Sequence, residues 1–255
     1  MRILQAITPQ YAQDYITRFG FDAKYHPPYL TMALGAGNVT PVQMVGAYAI
    51  FANGGFRVNP YFITRIEDAK GTVIAQARPE RAGETAQRAI DARNAFIMTN
   101  IMQDVVKMGT AARAMQLGRT DLAGKTGTTN DFIDAWFCGF GTGLVAVAWI
   151  GFDNPHTLGH NETGAQAALP MWMAYMGKVM AGVEAQPRSV PEGVVQARIN
   201  PETGLRDPGG GIVDYFYQEF LPGEQDGAPS ARQSPAAPVA PGGAKPPEEV
   251  KSQLF

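Results

Sequence analysis

Leu122-Ala123-Gly124-Lys125-Thr126-Gly127-Thr128-Thr129-Asn130-Asp131, followed closely by Asp134-Ala135-Trp136-Phe137, is the stretch from which the fold can be read. A lysine beside hydroxyls and a glycine is poor core material, so the run asks for a chemical reason. Threonines at alternate positions of a strand carry their hydroxyls on one side, and lysine adds a fixed positive charge. Gly127 removes a side chain from the opposite side, where another element can approach. Such a strand presents a cation, two hydroxyls and a backbone N–H to a carboxylate. That arrangement suits peptide-carboxylate recognition or acyl transfer.

Working outward, the pattern predicts three successive strands over 121–129, 134–140 and 144–152, with Gly141-Thr142-Gly143 turning the second into the third. The third is almost continuously apolar, which predicts burial on both faces of a sheet. Thr8-Pro9 reads as a helix start, with Tyr11, Tyr15 and Phe19 on one face and Gly20 as the stop. Thr40-Pro41-Val42-Gln43 has the form of a capping box, opening a helix faced by Val45, Tyr48, Ala49 and Ala52. A helix over 91–107 is expected to bury Ala95, Met98, Met102 and Val105, the methionines as core. A closing helix over 165–182 is expected to bury Met171, Trp172, Tyr175 and Met176. Residues 56–66 and 72–77 read as a β-hairpin. Beyond Pro187 short strands are expected at 194–199 and 211–213.

Composition narrows the function classes. The 255 residues are 45% hydrophobic with formal net charge −2, enough for one domain with a sizeable core and against a nucleic-acid binder. The single cysteine, Cys138, excludes an internal disulfide. No apolar run reaches the roughly 20 residues of a membrane helix, and the opening residues do not resemble a signal peptide.

Lys125-Thr126-Gly127 is one of three signatures of penicillin-binding proteins and serine β-lactamases. The longer run 124–137 resembles the transpeptidase domain of class A penicillin-binding proteins, and the likeness extends over 2–21, 33–55 and 144–155. It implies an α+β fold, an antiparallel β-sheet covered by helices on both faces, incomplete at its N-terminus. Residues 1–186 would be the C-terminal part of that domain, 187–223 a loop-rich extension with short strands, and 224–255 a disordered Pro/Ala/Gly-rich tail.

The implied activity is D-Ala-D-Ala transpeptidation in peptidoglycan synthesis, on the periplasmic face of the bacterial inner membrane. Stem peptides and β-lactams would be the ligands, with no metal or organic cofactor. The resemblance assigns Lys125 to proton transfer and positive charge near the substrate carboxylate, and Thr126 and Thr128 to hydrogen bonds with it. The Thr128 N–H would form half of the oxyanion hole, and Gly127 would clear room for substrate or the nucleophile-bearing helix. The family nucleophile is the serine of a Ser-x-x-Lys motif, accompanied by Ser-x-Asn. The four serines, Ser189, Ser230, Ser234 and Ser252, begin neither. The chain is therefore expected to hold one wall of an active site whose nucleophile-bearing half is missing.

Other readings have less in their favour. Cys138 sits in an apolar strand and reads as a small buried hydrophobe rather than a nucleophile. His156 and His160, with Asp153, Asn161 and Glu162, lack tight ligand spacing and read as a solvated loop. His26, beside two prolines, reads as structural. Asp131 and Asp134 read as turn residues capping backbone N–H groups rather than as a catalytic pair. Gly124-Lys125-Thr126 ends like a phosphate-binding loop, but five residues separate Gly118 from Gly124 and strands, not a helix, should follow. A non-catalytic module that holds a peptide carboxylate or a partner protein is the remaining alternative.

Overall fold

The structure, a computed structural model, describes residues 1–224; the tail expected over 224–255 thus lies outside the described residues except for Glu224. In chain order the elements are α1 (Arg2–Ile7), α2 (Pro9–Ile16), α3 (Pro41–Ala52), β1 (Phe56–Arg57), β2 (Arg65–Glu67), β3 (Val73–Gln76) and β4 (Gln87–Arg88). There follow α4 (Ala92–Lys107), β5 (Ala123–Thr128), β6 (Ala135–Gly141), β7 (Leu144–Ile150), α5 (Leu169–Val179), β8 (Val194–Ile199) and β9 (Ile212–Tyr217). No helix among the described residues is long and apolar enough to cross a membrane.

The centre is the antiparallel sheet β5-β6-β7, with Lys125 opposite Cys138 and Gly127 opposite Trp136. Strand periodicity gives it two different faces. On one, Phe137 is fully buried and meets Trp172 of α5 edge-on at 4.8 Å, within a cluster that includes Ala135, Ala148 and Met176. The Trp172 indole N–H donates to the Ala146 carbonyl at 3.0 Å, so this buried ring leaves no polar atom unpaired. On the other face Ala123 and Phe140 pack with Met102 of α4 and with Tyr48 and Phe51 of α3. The sheet is therefore covered by helices on both faces, as expected. The expectation for the third strand needs correction. β7 lies at an edge of the sheet among the described residues and is mostly half-buried, whereas the middle strand β6 is the one buried on both faces. An apolar run reports low polarity, not a central position.

The helix starts follow their capping residues. Thr40 Oγ1 accepts from the Gln43 amide at 3.2 Å while Gln43 Oε1 accepts from the Thr40 amide at 2.8 Å, a complete capping box. Asp91 accepts from the Arg93 amide at 2.9 Å and opens α4. The buried stripe of α4 runs Ala95, Thr99, Met102 and Val106, leaving Met98 exposed. Thr99 enters the core because its hydroxyl reaches the Phe51 carbonyl at 3.5 Å. In α3 the buried residues are Ala47 and Ile50, since a helix apolar nearly all round gives little signal for its inner face. The closing helix begins as a π-turn over Gly164–Ala168 before α5; it buries Trp172 and Met176 but exposes Met171 and Tyr175.

The expected hairpin is shorter than its sequence pattern. β2 pairs with β3, but β1 leaves it to pair with β4. Beyond α5, β8 and β9 form a regular antiparallel ribbon, with β9 longer than the sequence suggested. The ribbon is fastened to α4 by Phe96 against Tyr215 at 4.9 Å, Asn100 Nδ2 to Asp214 at 3.1 Å and Arg93 to Glu219 at 2.8 Å.

Candidate functional site

The strand carrying the Lys-Thr-Gly run is anchored at its start by Asp121, a buried carboxylate. Arg119 donates to it through Nε at 3.0 Å and Nη2 at 2.8 Å, and Thr142 donates through its amide at 2.7 Å and hydroxyl at 2.5 Å. Burial works to raise the Asp121 pKa, but the hydrogen bonds from Arg119 and Thr142 outweigh it and hold the carboxyl below its ordinary value. The head of β5 is thereby tied to the turn between β6 and β7.

At the other end, the Thr129 amide donates to the Asp134 carbonyl at 3.1 Å, continuing the β5–β6 ladder. Main-chain groups of an antiparallel strand alternate in direction, so those of Thr126 and Thr128 point away from β6. No strand pairs with β5 on that side among the described residues. Lys125 is exposed, and its Nζ donates to the Thr126 carbonyl at 2.9 Å, with Thr126 Oγ1 at 3.5 Å.

Both threonine hydroxyls have partners. Thr126 Oγ1 lies 2.8 Å from Thr110 Oγ1, and Thr128 Oγ1 accepts the Gly164 amide at 3.0 Å. A Cβ on Gly127 would lie 3.2 Å from the Cβ of its register partner Trp136. Gly164 is under a tighter constraint, since a Cβ on it would lie 2.4 Å from the carbonyl oxygens of both Gly127 and Trp136. Its backbone rests on the sheet, which brings its amide to Thr128. Lys125, Thr126, Gly127 and Thr128 thus form one wall presenting an ammonium, two ordered hydroxyls and an outward amide.

The competing residues do not join it. Cys138 is buried, and burial pushes its thiol up to about 12, so it stays protonated near neutral pH. Asp131 and Asp134 form no catalytic pair. Asp134 accepts the Trp149 indole N–H at 2.8 Å, and its own amide donates to Thr129 Oγ1 at 2.7 Å, so it does not cap the turn as expected. Asp131 sits in the left-handed region at φ 57°. His156 stacks on Phe152 at 3.7 Å, His160 lies edge-on to Phe132 at 6.2 Å, and His26 is buried edge-on to Phe21 at 5.3 Å. Among the described residues no His, Cys, Asp or Glu group is arranged to hold a metal. The chain continues past Lys125 as a strand and a short 3-10 turn, so no helix N-terminus is aimed at a phosphate.

Sequence reasoning missed Thr110, Gly164 and Asp121. A threonine after Gly109 and a glycine after Thr163 read as ordinary turn residues in one sequence, and only the tertiary contacts reveal their partners.

The family model "Penicillin binding protein transpeptidase domain" matches residues 1–166. Penicillin-binding protein 1A of Neisseria flavescens is 50% identical over 195 residues, an alignment covering 76% of this chain and 24% of that protein. The Pseudomonas aeruginosa protein of the same name is 39% identical, over 92% of this chain and 34% of its own length. This chain therefore spans about a quarter to a third of the length of these relatives. Among solved structures, penicillin-binding protein 1A from Haemophilus influenzae superposes with a TM-score of 0.80 at 32% identity, over 86% of this chain and 39% of that one.

Proposed function

Because the chain belongs to the penicillin-binding protein transpeptidase family, we propose that residues 125–128 form the carboxylate-binding, oxyanion-stabilising wall of a D-Ala-D-Ala transpeptidase that cross-links peptidoglycan. The observation that carries this reading is that the Lys125 ammonium lies on the outward Thr126 carbonyl, at a strand edge that has no strand partner among the described residues, with the Thr126 and Thr128 hydroxyls on one side of that strand.

The terminal carboxylate of a stem peptide takes hydrogen bonds from both hydroxyls. A hydroxyl has one proton and two lone pairs, and Thr128 already accepts from Gly164, so its proton remains to be donated. Lys125 adds positive charge and assists proton transfer. A serine adds to the penultimate D-Ala carbonyl carbon, and the resulting oxyanion is met by the Thr128 N–H. Collapse breaks the C–N bond and releases the terminal D-Ala as its amine. An amine of a neighbouring stem peptide then attacks the ester, forming the cross-link and returning the serine. A β-lactam enters the same first step and leaves an acyl-enzyme. That serine is supplied by polypeptide outside residues 1–255, since none of the four serines here begins Ser-x-x-Lys. The reaction belongs at the periplasmic face of the inner membrane, where the acceptor peptides are.

Acylation of the full-length protein by a fluorescent penicillin tests this reading. Lys125→Ala removes a charged hydrogen bond of about 1.5–3 kcal/mol and is expected to slow acylation by more than about tenfold. Lys125→Arg is also expected to be impaired, because a planar guanidinium does not replace a compact ammonium. Peptide mapping should find the label outside residues 1–255. A label within them, or Lys125→Ala acylating at the wild-type rate, refutes the proposal; binding of stem peptide without acylation would favour the non-catalytic module.

A further inference from the structure

Thr110 lies in the turn that leaves α4, and that turn is fixed on both sides. The Gly109 amide donates to the Asp104 and Val105 carbonyls, each at 3.1 Å, and the Ala111 amide donates to Val105 at 3.1 Å. A Cβ on Gly109 would lie 2.8 Å from Val105 Cα, and Ala111 is wholly buried in the main core cluster. Thr110 is therefore held between two anchored residues, and its side chain delivers a hydroxyl to Thr126 at 2.8 Å. Either oxygen can be the donor in that pair while no anion is present.

A carboxylate decides the direction. Thr126 has one proton, and when it donates to an anion its oxygen can only accept from its neighbours. Thr110 must then be the donor. Lys125 Nζ is the poorer donor to that oxygen, at 3.5 Å against 2.8 Å for Thr110 Oγ1. The chain Thr110 O–H to Thr126 O–H to carboxylate ends on a charge, and each donor polarises the next. We propose that Thr110 is a positioning residue: by donating to Thr126 Oγ1 it commits the Thr126 proton to the carboxylate of an acyl-D-Ala-D-Ala peptide or a β-lactam. The inference rests on the reading of Thr126 as a carboxylate donor and extends it to a residue outside the Lys-Thr-Gly strand.

The test compares acylation of the full-length protein by benzylpenicillin and by its methyl ester, which lacks the anion. Thr110→Val keeps the shape and removes the hydroxyl; it is expected to slow the free acid about fivefold and the ester by less than about twofold. Thr110→Ser should restore the wild-type rate with the acid. Unchanged acid kinetics in Thr110→Val, equal slowing of acid and ester, or failure of a folded Thr110→Ser to restore the rate would each overturn the inference while leaving the wall itself intact. Wild-type protein acylated equally fast by acid and ester would instead overturn the carboxylate reading of Thr126, and this inference with it. If Thr110→Val does not fold, Thr110→Ala against Thr110→Ser carries the same acid-to-ester comparison.

Discussion

The β5-β6-β7 sheet and the β2–β3 hairpin are built by the same local rules and end in opposite environments. Both are antiparallel, and both turn at a glycine of positive φ, Gly143 at 73° in the sheet and Gly71 at 82° in the hairpin. In the sheet, Phe137 and Phe140 point to opposite faces and each is wholly buried under helices. Every residue of β2 and β3 is exposed, including Ile66, Val73 and Ile74. Turn chemistry is enough to set a hairpin's geometry. It is burial between two layers that holds a strand rigidly, and the Lys-Thr-Gly run lies on β5, which pairs along its whole length with the strand that has it, β6.

The largest effect expected from this contrast is on stability. Phe137→Ala empties a fully buried site against Trp172 and should cost about 4 kcal/mol, whereas Ile74→Ala should cost less than about 0.5 kcal/mol. Denaturant midpoints at constant slope measure both. Comparable losses would mean that the hairpin is packed against something, and the distinction between the two regions would fall.

Two aspartates sharpen the comparison. Asp121 heads the sheet and Asp68 caps the hairpin turn, accepting from the Lys70 and Thr72 amides at 2.8 Å each. Asp121→Ala takes the carboxylate from the half-buried Arg119 guanidinium and from two Thr142 donors, at a cost of about 3 kcal/mol. Both carboxyls are held below their ordinary values: Asp68 chiefly by the Thr72 amide, Asp121 because the bonds from Arg119 and Thr142 exceed the opposing effect of burial. A depressed folded pKa contributes stability above the unfolded value and loses it as pH falls through the folded one. The wild-type protein should therefore weaken below about pH 4, and Asp121→Asn should flatten that acid limb more than Asp68→Asn, because Asp121 is buried and Asp68 is open to solvent. Midpoints measured between about pH 6 and pH 3 decide it; an unaltered slope in Asp121→Asn would assign the acid sensitivity elsewhere.

Much of the sheet was legible because its strands are bounded by local signals. The turn at Gly141-Thr142-Gly143, the Thr40 capping box and the Lys-Thr-Gly run each act within a few residues, and each has its expected form. The order of burial was not legible: β6 and β7 are both apolar, and only pairing tells which lies inside. The same limit hid Thr99, a polar residue admitted to the core by a carbonyl 48 positions away in sequence. At the candidate site the four residues of the wall were visible, but not what orders them. Thr110 and Gly164 reach Thr126 and Thr128 across separations of 16 and 36 residues, and no local pattern encodes either contact.

The smallest expected effect is the most direct measure of how independent the two regions are. Gly71 has φ 82°, and a Cβ added to it would have nothing within 4 Å, so Gly71→Ala meets no neighbour and bears only the backbone penalty of the left-handed region, about 1 kcal/mol. If the hairpin opens as its own unit, that penalty falls on local opening alone. Exchange of the Asp68 and Ala77 amides, which close the hairpin onto Thr72 and Thr64, should speed up about fivefold. Amides of β6 should exchange as before, and the global denaturation midpoint should not move. A midpoint lowered by the full 1 kcal/mol or so would show instead that hairpin and sheet unfold together. The exposed apolar residues of β2 and β3 would then be contributing to the cooperative core, and the separation between a locally determined region and a packed one would have to be abandoned.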